Sequence, residues 1–230
     1  MTLLAISFCT FLATLAGGVL AIRHSGRRHL ILGLSAGAVI GVAFFDLLPE
    51  ALELTRGAFN PAHVTELAAS GFLCYMMLDR IIPKHQGRGA IAAASLVVHS
   101  FLDGFSIGLA FKVSFAVGVI VAAAVIVHDM FDGINTVSVV LANKGGDRAA
   151  WRWLVLDAVA PILGAASTLA LHIEEATLGL CLAIFGGFFL YLGASELMPA
   201  SAQSAKPVAT AAMTVLGAAL LYLAVNLAQL

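Results

Sequence analysis

Two hexapeptides place acid–base side chains at the same spacing in stretches that are otherwise almost wholly apolar. "HSFLDG" runs from His99 to Gly104, and "HDMFDG" runs from His128 to Gly133. Each has His at its first position, Asp at its fifth and Gly at its sixth. Residues four apart lie on one face of a helix, so each hexapeptide presents an imidazole and a carboxylate together. The repeated spacing indicates one shared chemical task.

The chemistry that these side chains favour is the binding of a divalent metal ion. Asp129 lies three residues before Asp132 and leans toward the same side of its helix. If the two helix faces meet, two imidazoles and three carboxylates converge, and three carboxylates in a dry site require a cation. Imidazole and carboxylate ligands without thiolate suit Zn²⁺, Fe²⁺ or Mn²⁺. One ion, or two ions bridged by Asp103 or Asp132, would satisfy the cluster.

Several other polar residues are weaker candidates for the same task. Ser100 and Asn135 offer oxygen atoms that could act as weak ligands. Asp46 and Glu196 each lie near the end of an apolar stretch, shortly before a proline. They could line the path of an ion or be solvated acids at helix ends. Asp157, inside another apolar stretch, has no assigned role.

The remaining acids, glycines and cysteines have simpler interpretations. Glu50 and Glu53 are predicted to be solvated charges at a helix end. Gly104 and Gly133 are predicted to omit a side chain where helices approach closely. The three cysteines lie in apolar runs without CxxC spacing, and we expect small buried side chains rather than disulfides or thiolate ligands. They are Cys9, Cys74 and Cys181.

The elements that must position these residues are membrane-spanning helices. The chain has 230 residues, 61% hydrophobic and 11% charged, with a mean hydropathy of +1.01. Apolar runs of about 20 residues can each cross a bilayer as a helix. Their unbroken character selects helices over a barrel. The predicted spans are 2–22, 30–52, 67–83, 90–111, 115–142, 153–172, 177–199 and 208–229. The short links predict a single polytopic domain, residues 1–230.

The basic residues predict the orientation of these spans in a plasma or inner membrane. Ten of the twelve Lys and Arg lie in the links after the first, third, fifth and seventh spans. Only Arg56 and Lys112 lie on the other side. The positive-inside rule then places those four links in the cytoplasm and both termini outside it. No basic residue precedes the first span, so we do not expect a cleavable signal.

Two further segments resemble each other. "FDLLPEA" (Phe45 to Ala51) and "SELMPAS" (Ser195 to Ser201) both contain an acid, Leu, then Leu or Met, then Pro. Paired Pro-interrupted spans are typical of a transporter core built from internal repeats. Proline is also common near helix ends, so the segments alone leave the symmetry open.

Composition and motifs exclude several classes of function. A net charge of −1 gives no basic surface for nucleic acid. The HExxH signature of metalloproteases is absent, and a di-iron oxidase needs more than the two intramembrane His. A pure scaffold leaves the buried ionisable residues unexplained. We therefore expect a transporter rather than an enzyme, with a membrane-embedded metalloenzyme or metal sensor as the alternative.

At this point the residues resemble the ZIP (Zrt-, Irt-like) family of divalent metal transporters. That family has a His-Asn-x-x-Glu/Asp-Gly motif in its fourth helix and a related motif in its fifth, which correspond to "HSFLDG" and "HDMFDG". The stretch "GGFFLYLGASELMP" (Gly186 to Pro199) is similar to its seventh helix, and "SAGAVIGVAFFDLLPEAL" (Ser35 to Leu52) to its second. The resemblance implies eight helices in a 3+2+3 inverted-repeat arrangement and metal movement into the cytoplasm.

The resemblance also implies roles for individual residues. His99, Asp103 and Asp132 would be the principal metal ligands, while His128 and Asp129 would complete that site or form an adjoining one. Ser100 takes the place of the usual Asn. Glu196 and Asp46 would line the route of the ion on the cytoplasmic or outer side.

The implied cargo is a divalent metal ion, with Zn²⁺ the leading candidate and Fe²⁺, Mn²⁺ or Cd²⁺ the alternatives. No resident cofactor is expected, and the partners are metal ions and the lipid bilayer. Faces of small residues would permit a homodimer. Two departures from the family pattern concern the site: both motif acids are Asp rather than Glu, and Ala160 precedes Pro161 where the family often has Glu.

Overall fold

The described part of the chain forms eight helices. The computed structural model describes residues 2–24, 28–81, 88–113, 115–170, 174–203 and 207–228, and these contain no strand. The helices are α1 (Thr2–Arg23), α2 (Arg28–Gly41, Val42–Leu47 and Leu48–Leu54 in continuous succession), α3 (Pro61–Ile81), α4 (Arg88–Val113), α5 (Phe115–Ala142), α6 (Asp147–Ser167), α7 (Glu175–Tyr191, Leu192–Leu197 and Met198–Ala202 in continuous succession) and α8 (Pro207–Ala228). The all-helical prediction is confirmed.

Seven of the described helices are long and apolar enough to cross a membrane, which confirms a multi-pass membrane protein. The exception is α3, which is the third predicted span. It has 21 residues, enough to cross a bilayer, but it begins before the predicted apolar run. Its first three turns therefore include the polar residues Thr65, Glu66 and Ser70, which lower its hydropathy.

Two helices contain a widened turn just before a proline. The segments Val42–Leu47 in α2 and Leu192–Leu197 in α7 are π-helical. In each, the next residue donates its N–H to the carbonyl five positions back, Leu48 to Ala43 and Met198 to Gly193. Proline cannot donate an N–H and its ring crowds the carbonyl four residues earlier, so a widened turn relieves the conflict.

The middle of the bundle is the pair α4 and α5, which pack against each other. Helix α4 also packs along α6, and α5 along α1 and α2. Outside this pair, α2 packs along α8 and α3 packs along α7. The two hexapeptides of the sequence therefore lie on the two central helices, halfway along each.

The glycine that ends each hexapeptide allows a close helix crossing, as expected from the sequence. A Cβ on Gly104 would lie 2.0 Å from the carbonyl oxygen of Pro161 in α6. A Cβ on Gly133 would lie 1.9 Å from the carbonyl oxygen of Thr14 in α1. Both neighbours are backbone atoms, which cannot rotate away. These crossings hold α4 and α5 at fixed positions against the outer helices.

The cysteine expectation is partly wrong. Cys9 and Cys74 are exposed and Cys181 is partly exposed, although all three are free thiols. In a membrane bundle the outer faces of the helices contact lipid and are as apolar as the core. An apolar run therefore does not distinguish a buried cysteine from one on the lipid-facing surface.

We expect Gly133→Ser to lower the free energy of unfolding by about 1–3 kcal/mol or more, because its Cβ would overlap backbone. The matched control is Gly146→Ser, since nothing lies within 4 Å of a Cβ at that position. Thermal unfolding of the detergent-purified variants, followed by circular dichroism, makes the comparison. Equal unfolding temperatures for the two variants would contradict the close crossing.

Candidate metal centre

Four side chains of the two hexapeptides meet between α4 and α5. His99, Asp103, His128 and Asp132 each offer a ligand atom, and these atoms all lie within 4.8 Å of one another. All four residues are buried, with Asp103 the most exposed at 5%. The two helix faces, which the sequence left free to meet or not, oppose each other for this group. A single metal ion could contact all four.

The carboxylate of Asp103 lies between the two imidazoles. Its Oδ2 is 3.2 Å from Nε2 of His99 and 3.4 Å from Nε2 of His128. Nε2 of His128 is also 3.9 Å from Oδ2 of Asp132. The two rings are near parallel, with centroids 6.0 Å apart, and Phe189 packs edge-on against His99. The Nε2 atoms and the carboxylate oxygens therefore point at one common volume.

Many of these polar atoms have no hydrogen-bond partner. Nδ1 of His99 and both carboxylate oxygens of Asp132 are buried and have no hydrogen-bond partner. Unpaired buried polar groups are rare because each costs about 1–3 kcal/mol, and more if charged. A cation bound among them would supply the missing partner. Orphaned ligand atoms at this one place therefore fit a metal-binding centre.

Asp129 and Asn135 flank the centre on α5 without joining the four-residue group. Asp129 is fully buried, and neither of its oxygens has a hydrogen-bond partner. The side-chain amide of Asn135 is likewise fully buried and unpartnered. Both residues are close in sequence to His128 and Asp132, but neither contributes one of the four ligand atoms that converge.

The side chain of Ser100 forms a hydrogen bond to another helix. Its hydroxyl donates to Oδ1 of Asp157 at 2.8 Å, and the hydroxyl of Thr136 donates to Oδ2 of the same carboxylate at 2.8 Å. All three residues are buried, with Asp157 and Thr136 at 0% exposure. One carboxylate on α6 thus joins α4 beside His99 to α5 one turn after Asp132.

Asp46 and Glu196 lie in equivalent places, at the fifth position of the π-helical segments of α2 and α7. Oδ2 of Asp46 is 4.0 Å from Nδ1 of His128, so this acid reaches the edge of the centre. Oε2 of Glu196 accepts a hydrogen bond from the amide of Asn143 at 3.4 Å, just beyond the end of α5. Asp46 therefore lies beside the middle of α5, whereas Glu196 lies beside its carboxyl end.

Two cavities open at the two ends of the same helix. The first has a volume of about 390 Å³ and reaches the centre itself, since Asp103 and His128 line it together with Asp46, Glu50 and Glu53. The second has a volume of about 610 Å³ and is lined by residues near the other end of α5, including Lys144 and Asp147. None of the four centre residues lines the second cavity.

Sequence reasoning missed Asp157 and Glu50. An acid in the middle of an apolar span is itself a functional signal, but only the fold shows that Asp157 binds hydroxyls on two other helices. Glu50 was predicted to be a solvated end charge, yet it is half-buried in the wall of the first cavity. Its spacing of four from Asp46 was the available clue.

Comparison with known proteins gives one consistent result. The model of the family described as "ZIP Zinc transporter" matches residues 83–224 of this chain. The chain is 30% identical over 223 residues to the zinc transporter ZupT of Corynebacterium aurimucosum, with 84% of each chain covered. It is 29% identical over 194 residues to the zinc transporter GufA of Myxococcus xanthus, with 74% of each covered. It is 28% identical over 270 residues to ZupT of Campylobacter jejuni, with 94% of this chain and 92% of that chain covered.

We expect Asp157→Ala to lower the free energy of unfolding by about 2 kcal/mol or more, because two buried hydroxyls lose their shared acceptor. Asp157→Asn keeps one acceptor oxygen and should lose less. Thermal unfolding of the purified proteins measures both effects. An alanine variant that unfolds at the same temperature as the natural protein would show that this carboxylate does not join the helices.

Proposed function

This chain belongs to the ZIP family of zinc transporters, and from that membership we propose that its cargo crosses the bundle through the centre formed by His99, Asp103, His128 and Asp132. The protein is a multi-pass transporter of divalent metal ions and not an enzyme. Zn²⁺ is the proposed principal cargo, because the relatives are zinc transporters. The observation that carries the site assignment is the convergence of four buried ligand atoms within 4.8 Å.

The chemistry of the centre supports that cargo. Two imidazole nitrogens and two carboxylate oxygens make a four-ligand set that suits tetrahedral Zn²⁺. Two ionised carboxylates balance the charge of one divalent ion, so its transfer out of water leaves no net charge in the bundle. Fe²⁺, Mn²⁺ and Cd²⁺ accept the same donors, and selection among them depends on the size of the site. The Asp side chains, one methylene shorter than Glu, leave that site wider.

The Asp157 contacts support a single ion at the centre. Ser100, which replaces the family's Asn, has its hydroxyl bonded to Asp157. Ala160 is buried and offers no ligand atom at the position where the family often has Glu. These two positions would otherwise serve an adjoining second ion. In this chain the hydroxyl of Ser100 instead joins α4 to α6, and Ala160 has no ligand atom.

The distribution of charge and cavities supports import into the cytoplasm. The positive-inside rule places the links after α1, α3, α5 and α7 in the cytoplasm and both termini outside. With that orientation the cavity lined by Asp46 opens outward and the cavity lined by Lys144 opens inward. Because only the outer cavity includes centre residues, the conformation described here receives its ion from outside. Glu196, near Asn143, lies on the inward side of the proposed route.

The helix contacts support a 3+2+3 inverted repeat within one domain, residues 1–230. If α1–α3 correspond to α6–α8 and α4 corresponds to α5, the closest pairings between helices have counterparts. The pairing of α4 with α6 matches that of α5 with α1, and α2 with α8 matches α7 with α3. The π-helical segments of α2 and α7 correspond too, and the orientation makes those helices run in opposite directions. In transporters built from such repeats, one bundle of helices moves against the other and exposes the binding site to each side of the membrane in turn.

We expect Asp103→Asn and Asp132→Asn each to reduce Zn²⁺ uptake into proteoliposomes by at least about tenfold, since each removes a charged ligand of similar shape. The matched control is Glu66→Gln, because Glu66 is an exposed acid on α3 that lines neither cavity. Uptake by both Asn variants at the rate of the control would remove these residues from the ion path.

We expect the affinity for Zn²⁺ to fall as the pH is lowered from about 7.5 to about 5.5, because His and Asp must lose their protons to bind metal. Calorimetric titration of the purified protein in buffers of different ionisation enthalpy measures both the affinity and the protons released. An affinity independent of pH, with no proton release, would contradict a site built of imidazoles and carboxylates.

A further inference from the structure

We infer that the outer cavity contains a second cation position, formed by Asp46 and the outward nitrogen of His128, where a divalent metal ion is held before it reaches the centre. This inference rests on the proposed function, because it assigns the transported ion a first binding position before the centre. It goes beyond a general lining role for Asp46, since it names the ligand atoms. The ion it would take is one that accepts both nitrogen and oxygen ligands.

His128 faces two places at once. Its Nε2 points into the centre, 3.4 Å from Asp103 and 3.9 Å from Asp132. Its Nδ1 points the other way, 4.0 Å from Oδ2 of Asp46. That nitrogen is buried, in a residue only 1% exposed, and it has no hydrogen-bond partner. An unpartnered ring nitrogen therefore lies at the inner end of the outer cavity.

The distance between these two atoms suits a metal ion better than a direct contact. A separation of 4.0 Å is too long for a hydrogen bond between nitrogen and oxygen. Ligands at about 2.0–2.2 Å from a tetrahedral Zn²⁺ lie roughly 3.3–3.6 Å apart, so the two atoms would close by about half an ångström around the ion. An ion would bridge Asp46 and His128 with little movement of either side chain.

The rest of the cavity provides additional oxygen ligands and space for water. Asp46, Glu50 and Glu53 follow one another at spacings of four and three on α2, so they share one face, and all three line the cavity. Glu53 is exposed and pairs with Arg56 at 2.7 Å, which places it at the outer mouth. A volume of about 390 Å³ leaves room for an ion that keeps part of its hydration shell.

The π-helical segment of α2 explains how Asp46 reaches this position. A widened turn adds one residue to the helix and rotates the later turns relative to the earlier ones. Asp46 lies in that turn, next to the exposed Phe45, and both line the cavity. Irregular helix geometry is found often at functional sites, and here it directs a carboxylate toward His128.

Capture and transfer would then be successive steps. A neutral imidazole has a single acceptor nitrogen, so His128 ligates one ion at a time. The ion is first held through Nδ1 with Asp46 and Glu50, while Nε2 carries the ring proton. When the ion passes to the centre, Nε2 releases that proton to solvent and becomes the ligand, and Nδ1 takes up a proton from the water of the cavity. The carboxylates alone would also attract Mg²⁺, whereas the ring nitrogen favours ions such as Zn²⁺ and Cd²⁺.

The first test disables the centre by substitution and measures the metal binding that remains. In the full chain carrying His99→Ala and Asp132→Asn, we expect calorimetry to detect residual Zn²⁺ and Cd²⁺ binding that excess Mg²⁺ does not displace. Adding Asp46→Asn should abolish that binding, while adding Glu66→Gln should leave it unchanged. Absence of residual binding in the double variant, or residual binding that survives Asp46→Asn, would overturn the inference.

The second test uses transport by the protein with its centre intact. We expect Asp46→Asn and Glu50→Gln each to raise KM for Zn²⁺ by roughly tenfold with a smaller effect on kcat, because capture is weakened and transfer is not. Glu66→Gln is again the control. An unchanged KM in both variants would overturn the outer position while leaving the proposed function intact. Absence of flux in the natural protein would instead overturn the proposed function itself.

Discussion

The structure depends on one electrostatic constraint, which is the burial of two carboxylates and two imidazoles halfway through a membrane bundle. Neither lipid nor the surrounding apolar side chains can solvate these groups, so they are tolerable only with a cation or with each other. The ligand atoms of His99, Asp103, His128 and Asp132 lie within 4.8 Å, and several lack any partner. The same arrangement that is costly when empty would give a divalent ion a substitute for its hydration shell, as the proposed transport through this centre requires.

Holding that cluster in place is the task of contacts that carry no metal. Gly104 and Gly133 bring α4 and α5 against backbone of α6 and α1, where a side chain would not fit. Asp157 accepts hydroxyl hydrogen bonds from both of the central helices. Steric contact thus fixes the central pair from two sides, and a buried hydrogen-bond network fixes its register. The cavity lined by Asp46 and Glu50 then meets the centre at Asp103 and His128.

The sequence predicted the features that local spacing determines. Apolar runs located the eight helices, and the i, i+4 relation of His and Asp predicted that each hexapeptide has one chemical face. Whether those two faces meet depends on how α4 and α5 pack, and the structure shows that they do. The contacts of Asp157 and Ser100 could not be predicted, because they join positions 57 residues apart and depend on how α6 packs. The half-burial of Glu50 and the exposure of Cys9 likewise depend on which helix face meets protein, lipid or a cavity.

The measurement that tests the central assignment most directly is X-ray absorption at the zinc edge of the metal-loaded protein. The geometry predicts about four nitrogen and oxygen ligands at about 2.0–2.1 Å, with the more distant scattering of two imidazole rings and no sulfur. That imidazole scattering should diminish in His99→Ala and in His128→Ala. Sulfur at about 2.3 Å, or an imidazole signal unchanged in both variants, would show that the ion binds elsewhere.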